Sequence, residues 1–265
     1  MGVALGVQPS PWFRYNLRVE HVVIRGESTS IMAKVPSLRA RFSSTLFMEL
    51  VVGLSGIALI IFIIGHLTGN LLLLGGPEVF NGYVQSLEAM GPALWLARIG
   101  LIIVFVAHIG TAIQLTKMNR RVRQTRYAEH RYISQRKLGT RTMAITGVLT
   151  LLFLLLHLYD FTFAQKTGDH TIIPGMYDGQ PMGLYGLVWN TFANPIHASL
   201  YILAMLGVGL HLSHAGSSLL VTLGVLSDRM TPKAELGAKI LGAVVGVGFA
   251  MIPVYVLVRT YLVGV

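Results

Sequence analysis

Gly53-Leu54-Ser55-Gly56-Ile57-Ala58-Leu59-Ile60-Ile61-Phe62-Ile63-Ile64-Gly65-His66-Leu67 carries one histidine at the far end of an apolar run. The surrounding stretch, Leu50 to Pro77, contains no Asp, Glu, Lys or Arg. About 20 apolar residues let a helix cross the hydrocarbon of a bilayer, so this stretch predicts a membrane span over roughly 47–74. Working outward, a second span is predicted over 93–116, interrupted by Arg98 alone, and a third over 142–161. The fourth falls at 195–220, within the uncharged stretch Gly179–Ser227, and the fifth at 238–258. Gly242 and Gly246 give the fifth span a spacing of small residues that permits close helix contact. The fold class read from this pattern is an all-α membrane protein of five transmembrane helices, with the first four forming a bundle.

The composition agrees. Of the 265 residues, 53% are hydrophobic and 12% charged, against about 25% charged in a typical soluble domain. The net charge of +10 does not indicate nucleic acid, because the basic residues lie between apolar runs, where they set membrane orientation. Lys117, Arg120, Arg121, Arg123, Arg126, Arg131, Arg136, Lys137 and Arg141 follow span two, opposed by Glu129 alone. Lys34, Arg39 and Arg41 precede span one. The connection between spans one and two holds Glu78 and Glu88, and that between spans three and four holds Asp160, Asp169 and Asp178 with Lys166. The positive-inside rule therefore places the N-terminus inside and the C-terminus outside. Residues 1–44 read as a cytoplasmic segment and 45–265 as the membrane domain, a multi-pass protein of the cell inner membrane. Residues 1–31 differ from the rest in composition, Met32 would serve as an alternative start, and no signal-peptide pattern is evident.

A repeat relates span one to span three. Ala144-Ile145-Thr146-Gly147-Val148-Leu149-Thr150-Leu151-Leu152-Phe153-Leu154-Leu155-Leu156-His157-Leu158 aligns with the opening stretch without a gap, matching its Gly, Phe and His positions. Spans two and four match more loosely, each with a histidine about two-thirds of the way along. Of nine histidines, His66, His108, His157, His211 and His214 lie inside spans. An ionisable group in hydrocarbon is costly and is by default a functional candidate. A single such residue could equally be a neutral core histidine bonded across helices, but four in four helices are hard to explain as packing.

There is no cysteine, which excludes iron–sulfur clusters, thiolate ligation and covalent haem attachment. Imidazole is then the expected axial ligand, and the histidines predict two b-type haems. Depth sorts them. At a rise of about 1.5 Å per residue, His108 lies ~13 Å from the inner surface and His157 ~22 Å from it. His66 and His157 would hold an outer haem, and His108 and His211 an inner one. His214, one turn from His211, is an alternative ligand or a propionate contact. Arg98 could reach an outer propionate or simply extend to the interface. Lys117, Arg120 and Arg141 could serve inner propionates, though topology explains them as well. Gly53, Gly56 and Gly147 would admit a flat macrocycle or serve helix packing. His21, His130 and His170 lie in aqueous segments, and His197 stays undecided at the outer mouth of span four.

Several pieces resemble the cytochrome b subunit of diheme succinate dehydrogenases and fumarate reductases. They are Gly65-His66-Leu67-Thr68-Gly69-Asn70, Thr146-Gly147 followed by His157-Leu158-Tyr159, and His211-Leu212-Ser213-His214 leading to Leu223-Gly224. One ligand in each of the first four helices, and none in the fifth, also matches; the resemblance covers roughly 35–260. It implies a membrane anchor for a flavoprotein and an iron–sulfur subunit on the cytoplasmic side, passing electrons to or from a quinone, usually menaquinone. No succinate site is implied in this chain. Glu88, 22 positions after His66, falls where the family carries a glutamate at its quinone site; it is otherwise a solvated loop acid. Gly209 stands where some members carry a further glutamate. Two other readings stay open: a diheme cytochrome b of a hydrogenase or formate dehydrogenase, and a haem-free transporter using the histidines as proton relays.

Overall fold

The chain separates into two units, Met1–Ser37 and Leu38–Val265. A computed structural model describes residues 45–122, 134–222 and 230–264. Segment 1–44, with Lys34, Arg39 and Arg41, lies outside the described residues. So do His21, His130, the connection 123–133 and the Leu223-Gly224 motif.

Seven α-helices are described: α1 Thr45–Leu71, α2 Pro77–Glu88, α3 Pro92–Val122, α4 Ser134–His157, α5 Gly183–Ala193, α6 Pro195–Thr222 and α7 Thr231–Val258. Five are long and apolar enough to cross a membrane, with candidate spans Thr45–Gly75, Pro92–Arg120, Thr142–Thr162, Pro195–Leu220 and Thr231–Val263. The protein is therefore a multi-pass membrane protein, and helices satisfy the backbone polar groups that lipid cannot. Its surface is correspondingly apolar. Trp95, Leu96, Ile99, Ile102, Ile103 and Val106 of α3 are all exposed, as a lipid-facing helix requires.

Two helices fall in stretches expected to be connections. α2 starts with Pro77 at its first turn and buries Phe80, while α5 buries Tyr185, Val188, Trp189 and Phe192. Both are shorter than a span. They cover the end of the bundle where α1 and α4 terminate and α3 and α6 begin, here termed the capped end. Gly76 turns the corner into α2 at φ 93° and ψ 177°, a region open essentially to glycine alone. Asn81 ties α2 to the long connection, donating from Nδ2 to the Met182 carbonyl at 2.9 Å and accepting from the Tyr185 amide at 3.2 Å. Asn190 donates to the carbonyls of His170 and Ile172, each at 2.8 Å. α6 then begins at Pro195, with the Asn194 side chain accepting from the amides of Ile196 and His197, the usual N-cap chemistry.

The largest apolar core sits at this capped end, where Leu73, Phe80, Ile173, Tyr185, Trp189 and Ile252 come together. Elsewhere the bundle is built from helix pairs. α6 crosses α7 most closely, α1 packs on α3, α4 packs on α6, and α1 also meets α7 and α6. Among the described residues α3 and α4 share no more than marginal contact, nor do α1 and α4. The α6–α7 crossing depends on glycine. A Cβ at Gly209 would lie 2.6 Å from the Gly242 carbonyl oxygen, and one at Gly246 would lie 3.0 Å from the Met205 oxygen. Gly242 and Gly246 thus form the close contact expected of them, with Gly209 as their partner. The same geometry explains why position 209 carries no glutamate: a carboxylate side chain has no room there.

Candidate functional site

The α1–α3 and α4–α6 pairs are the two halves of the sequence repeat, and each half contributes two histidines. At the capped end, His66 near the end of α1 meets His157, the last residue of α4. Their ring centroids are 5.7 Å apart and the planes nearly perpendicular, at 85°. Phe62 stacks on His66 at 5.3 Å, and Phe153 lies 5.8 Å from His157. These phenylalanines occupy equivalent repeat positions one turn before each histidine, where i and i+4 side chains share a face. Phe249 of α7, at 5.7 Å from His66, and Phe161, at 5.4 Å from His157, complete an aromatic surround. The Nδ1 of His157 is buried with no hydrogen-bond partner.

Towards the other end, His108 of α3 and His211 of α6 are held by a second pair of equivalent positions. The Ser55 hydroxyl lies 3.1 Å from Nδ1 of His108, and the Thr146 hydroxyl lies 3.2 Å from Nδ1 of His211. Each hydroxyl already donates to a backbone carbonyl one turn earlier, Ser55 to Val51 at 2.6 Å and Thr146 to Thr142 at 3.0 Å. A hydroxyl has one proton and two lone pairs. The imidazoles must therefore be the donors, which puts the ring proton on Nδ1 and leaves Nε2 with its lone pair. A protein uses this arrangement to orient an imidazole for a metal. The adjacent glycines lie beside the same rings: a Cβ at Gly56 would come 3.5 Å from Cε1 of His108, and one at Gly147 would come 3.4 Å from Cε1 of His211. Both are ordinary contact distances, so the rings alone do not require glycine. His108 and His211 lie within electrostatic reach of one another, and His214 within reach of His211.

Other candidates are placed as follows. Arg98 is exposed on α3, its guanidinium carbon 5.0 Å from the centre of the Trp95 ring, a cation–π contact. Glu88 ends α2 and is exposed, as are Lys117 and Arg120 at the far end of α3. His170 bonds the Gln165 carbonyl within the connection. His197 belongs to a group that sequence reasoning missed. Its Nε2 donates to Oδ2 of Asp160 at 2.8 Å, and the Tyr201 hydroxyl donates to the same oxygen at 2.7 Å. In the sequence Asp160 reads only as a charge in a connection. Its spacing of three residues from His157, and the spacing of four between His197 and Tyr201, were the available signals. Likewise, a hydroxyl directly before glycine recurs eleven positions ahead of the histidine in both repeats, at Ser55 and Thr146.

Among the described residues no group of three or more His, Asp or Glu side chains could hold a bare metal ion. The donors come in twos. Two imidazoles from different helices, with Nε2 deprotonated on the anchored pair and a buried unpartnered nitrogen on His157 in the other, suit a metal whose remaining ligands come from a macrocycle. The residues present fit b-type haem.

No protein-family model matches the chain, and no solved structure matches it. Among curated proteins it is similar to the succinate dehydrogenase cytochrome b558 subunit of Bacillus subtilis strain 168. The two are 24% identical over 177 residues, covering 66% of this chain and 76% of that protein. With five membrane helices and histidines in the first four, that likeness supports a distant relation to the succinate dehydrogenase cytochrome b family.

Proposed function

We propose that this chain is the haem-bearing membrane anchor of a succinate dehydrogenase or fumarate reductase, linking an iron–sulfur subunit to membrane quinone. The observation that carries the reading is the duplicated arrangement of histidines, with Ser55–His108 and Thr146–His211 repeating one geometry and His66 facing His157. The distant likeness to a succinate dehydrogenase cytochrome b558 subunit supports it.

Two b-type haems bound between the helices would supply one-electron transfer across the bilayer. His66 and His157 would hold the outer haem, and His108 and His211 the inner one. Ser55 and Thr146 hold the inner imidazoles in the tautomer that presents Nε2. The Phe62, Phe153, Phe161 and Phe249 rings exclude water from the outer pair. His214 would contact an inner propionate, with Lys117 and Arg120 at the same side, and Arg98 would serve an outer one. Glu88, exposed at the end of α2, exchanges the protons that accompany two-electron chemistry at a quinone, menaquinone in this reading. The basic residues beyond α3 keep the N-terminus and the inner pair on the cytoplasmic side, where the flavoprotein and iron–sulfur subunits dock.

A reduced-minus-oxidised spectrum with haem quantitation on the purified complex tests this reading. Two b haems per chain are expected. A fully assembled complex without iron porphyrin would refute it.

A further inference from the structure

Asp160 is the charged residue nearest in sequence to His157, three positions on, in the π turn Leu158–Thr162 that ends the span. Its side chain is 9% exposed. One oxygen takes both hydrogen bonds, from His197 and from Tyr201. Tyr201 is itself buried, its ring 6.4 Å from that of His157 and packed among Phe153, Phe161 and Phe192. Among the described residues no lysine or arginine pairs with the carboxylate, and the nitrogen that reaches it is the His197 imidazole Nε2. Its charge is within electrostatic reach of His157. A carboxylate in this setting is costly to bury, and tying the turn after α4 to α6 would need only a neutral hydrogen bond.

We propose that Asp160, held by His197 and Tyr201, sets the reduction potential of the His66–His157 site. The proposal rests on the haem reading given above. The oxidised iron centre carries one more positive charge than the reduced one, so a fixed carboxylate nearby favours the oxidised form and lowers the potential. Burial and neighbouring charge are among the means by which a protein tunes a haem. One charge acting over roughly 10 Å at an effective dielectric near 20 corresponds to about a tenfold change in the oxidised-to-reduced ratio. For a one-electron couple that is about 59 mV.

The test is redox potentiometry on the assembled complex, with the outer haem identified as the spectral component lost in His66→Ala. Asp160→Asn keeps the shape and a hydrogen-bond acceptor for Tyr201 while removing the charge. The outer haem should become about tenfold easier to reduce, the inner haem should stay within twofold, and Asp160→Glu should restore the outer value. A two-haem spectrum with unmoved potentials overturns the role of Asp160 while leaving the haem reading intact. A wild-type complex without the two haems overturns both. Should Asp160→Asn shed the outer haem, His197→Lys decides, since it brings a permanent cation to the same oxygen from the exposed side. A several-fold shift in the same direction supports the proposal, and no shift overturns it.

Discussion

Ser55→Ala and Thr146→Val each remove one hydroxyl that accepts a ring proton, from His108 and from His211, at 3.1 and 3.2 Å respectively. The imidazole is then left with an unsatisfied Nδ1–H in an apolar environment and is free to turn or change tautomer. Leaving a buried donor unpaired costs about 1–3 kcal/mol. Both bonds are partly buried, which favours the lower half of that range, about 1–2 kcal/mol. At 1.4 kcal/mol per factor of ten, haem affinity at the inner site should fall roughly 5- to 30-fold, near the lower part of the range for partners of metal-bound histidines. Transfer of haem from the purified protein to an apo-globin acceptor measures this as a faster inner component. The outer component should be unchanged, because neither hydroxyl touches His66 or His157. Thr146→Ser retains the hydroxyl and should behave as wild type, separating the hydrogen bond from the packing of the methyl group. Loss of the outer haem instead, or equal behaviour of the Val and Ser variants, would refute the argument.

Gly209→Ala should destabilise the α6–α7 crossing by about 1–3 kcal/mol, the usual cost of overpacking, because its Cβ would lie 2.6 Å from the Gly242 oxygen. Gly207→Ala meets nothing within 4 Å and should melt like wild type in detergent; equal melting of the two variants would refute the packing. Burial, reinforced by a hydrogen bond with Tyr177, pushes the Tyr185 phenol above the ordinary tyrosine range. Its contribution to stability is therefore complete below about pH 10, the unfolded value, and is lost as pH rises towards the folded one. Alkaline difference spectra between wild type and Tyr185→Phe should show Tyr185 ionising after the exposed tyrosines. Ionisation together with them would contradict its burial in the cap.

The five spans were legible because charge is sparse within them, with Arg98, Asp160 and Lys239 near their ends, and concentrated between them. Their ends were less so. α7 begins at Thr231 rather than near 238, since Lys233, Glu235 and Lys239 continue the helix beyond its apolar portion. α2 and α5 were hidden because they are short and mix polar with apolar residues, so neither reaches the length that marks a span. His66, His108, His157 and His211 fall one to a helix, in α1, α3, α4 and α6, and the gapless repeat relates His66 to His157. What no linear reading supplied is the joining of distant residues. Asp160 meets His197 and Tyr201 across 37 and 41 positions, and Ser55 meets His108 across 53. Gly209 stood out in the sequence only as a departure from a family pattern. The crossing with Gly242 supplies its reason.

The most direct measurement is haem content and spectrum in four single variants, His66→Ala, His157→Ala, His108→Ala and His211→Ala. The first two should lose the same spectral component and the last two the other, each retaining about one haem per chain. Loss of different components by His66→Ala and His157→Ala would contradict the pairing of His66 with His157 on which the account is built.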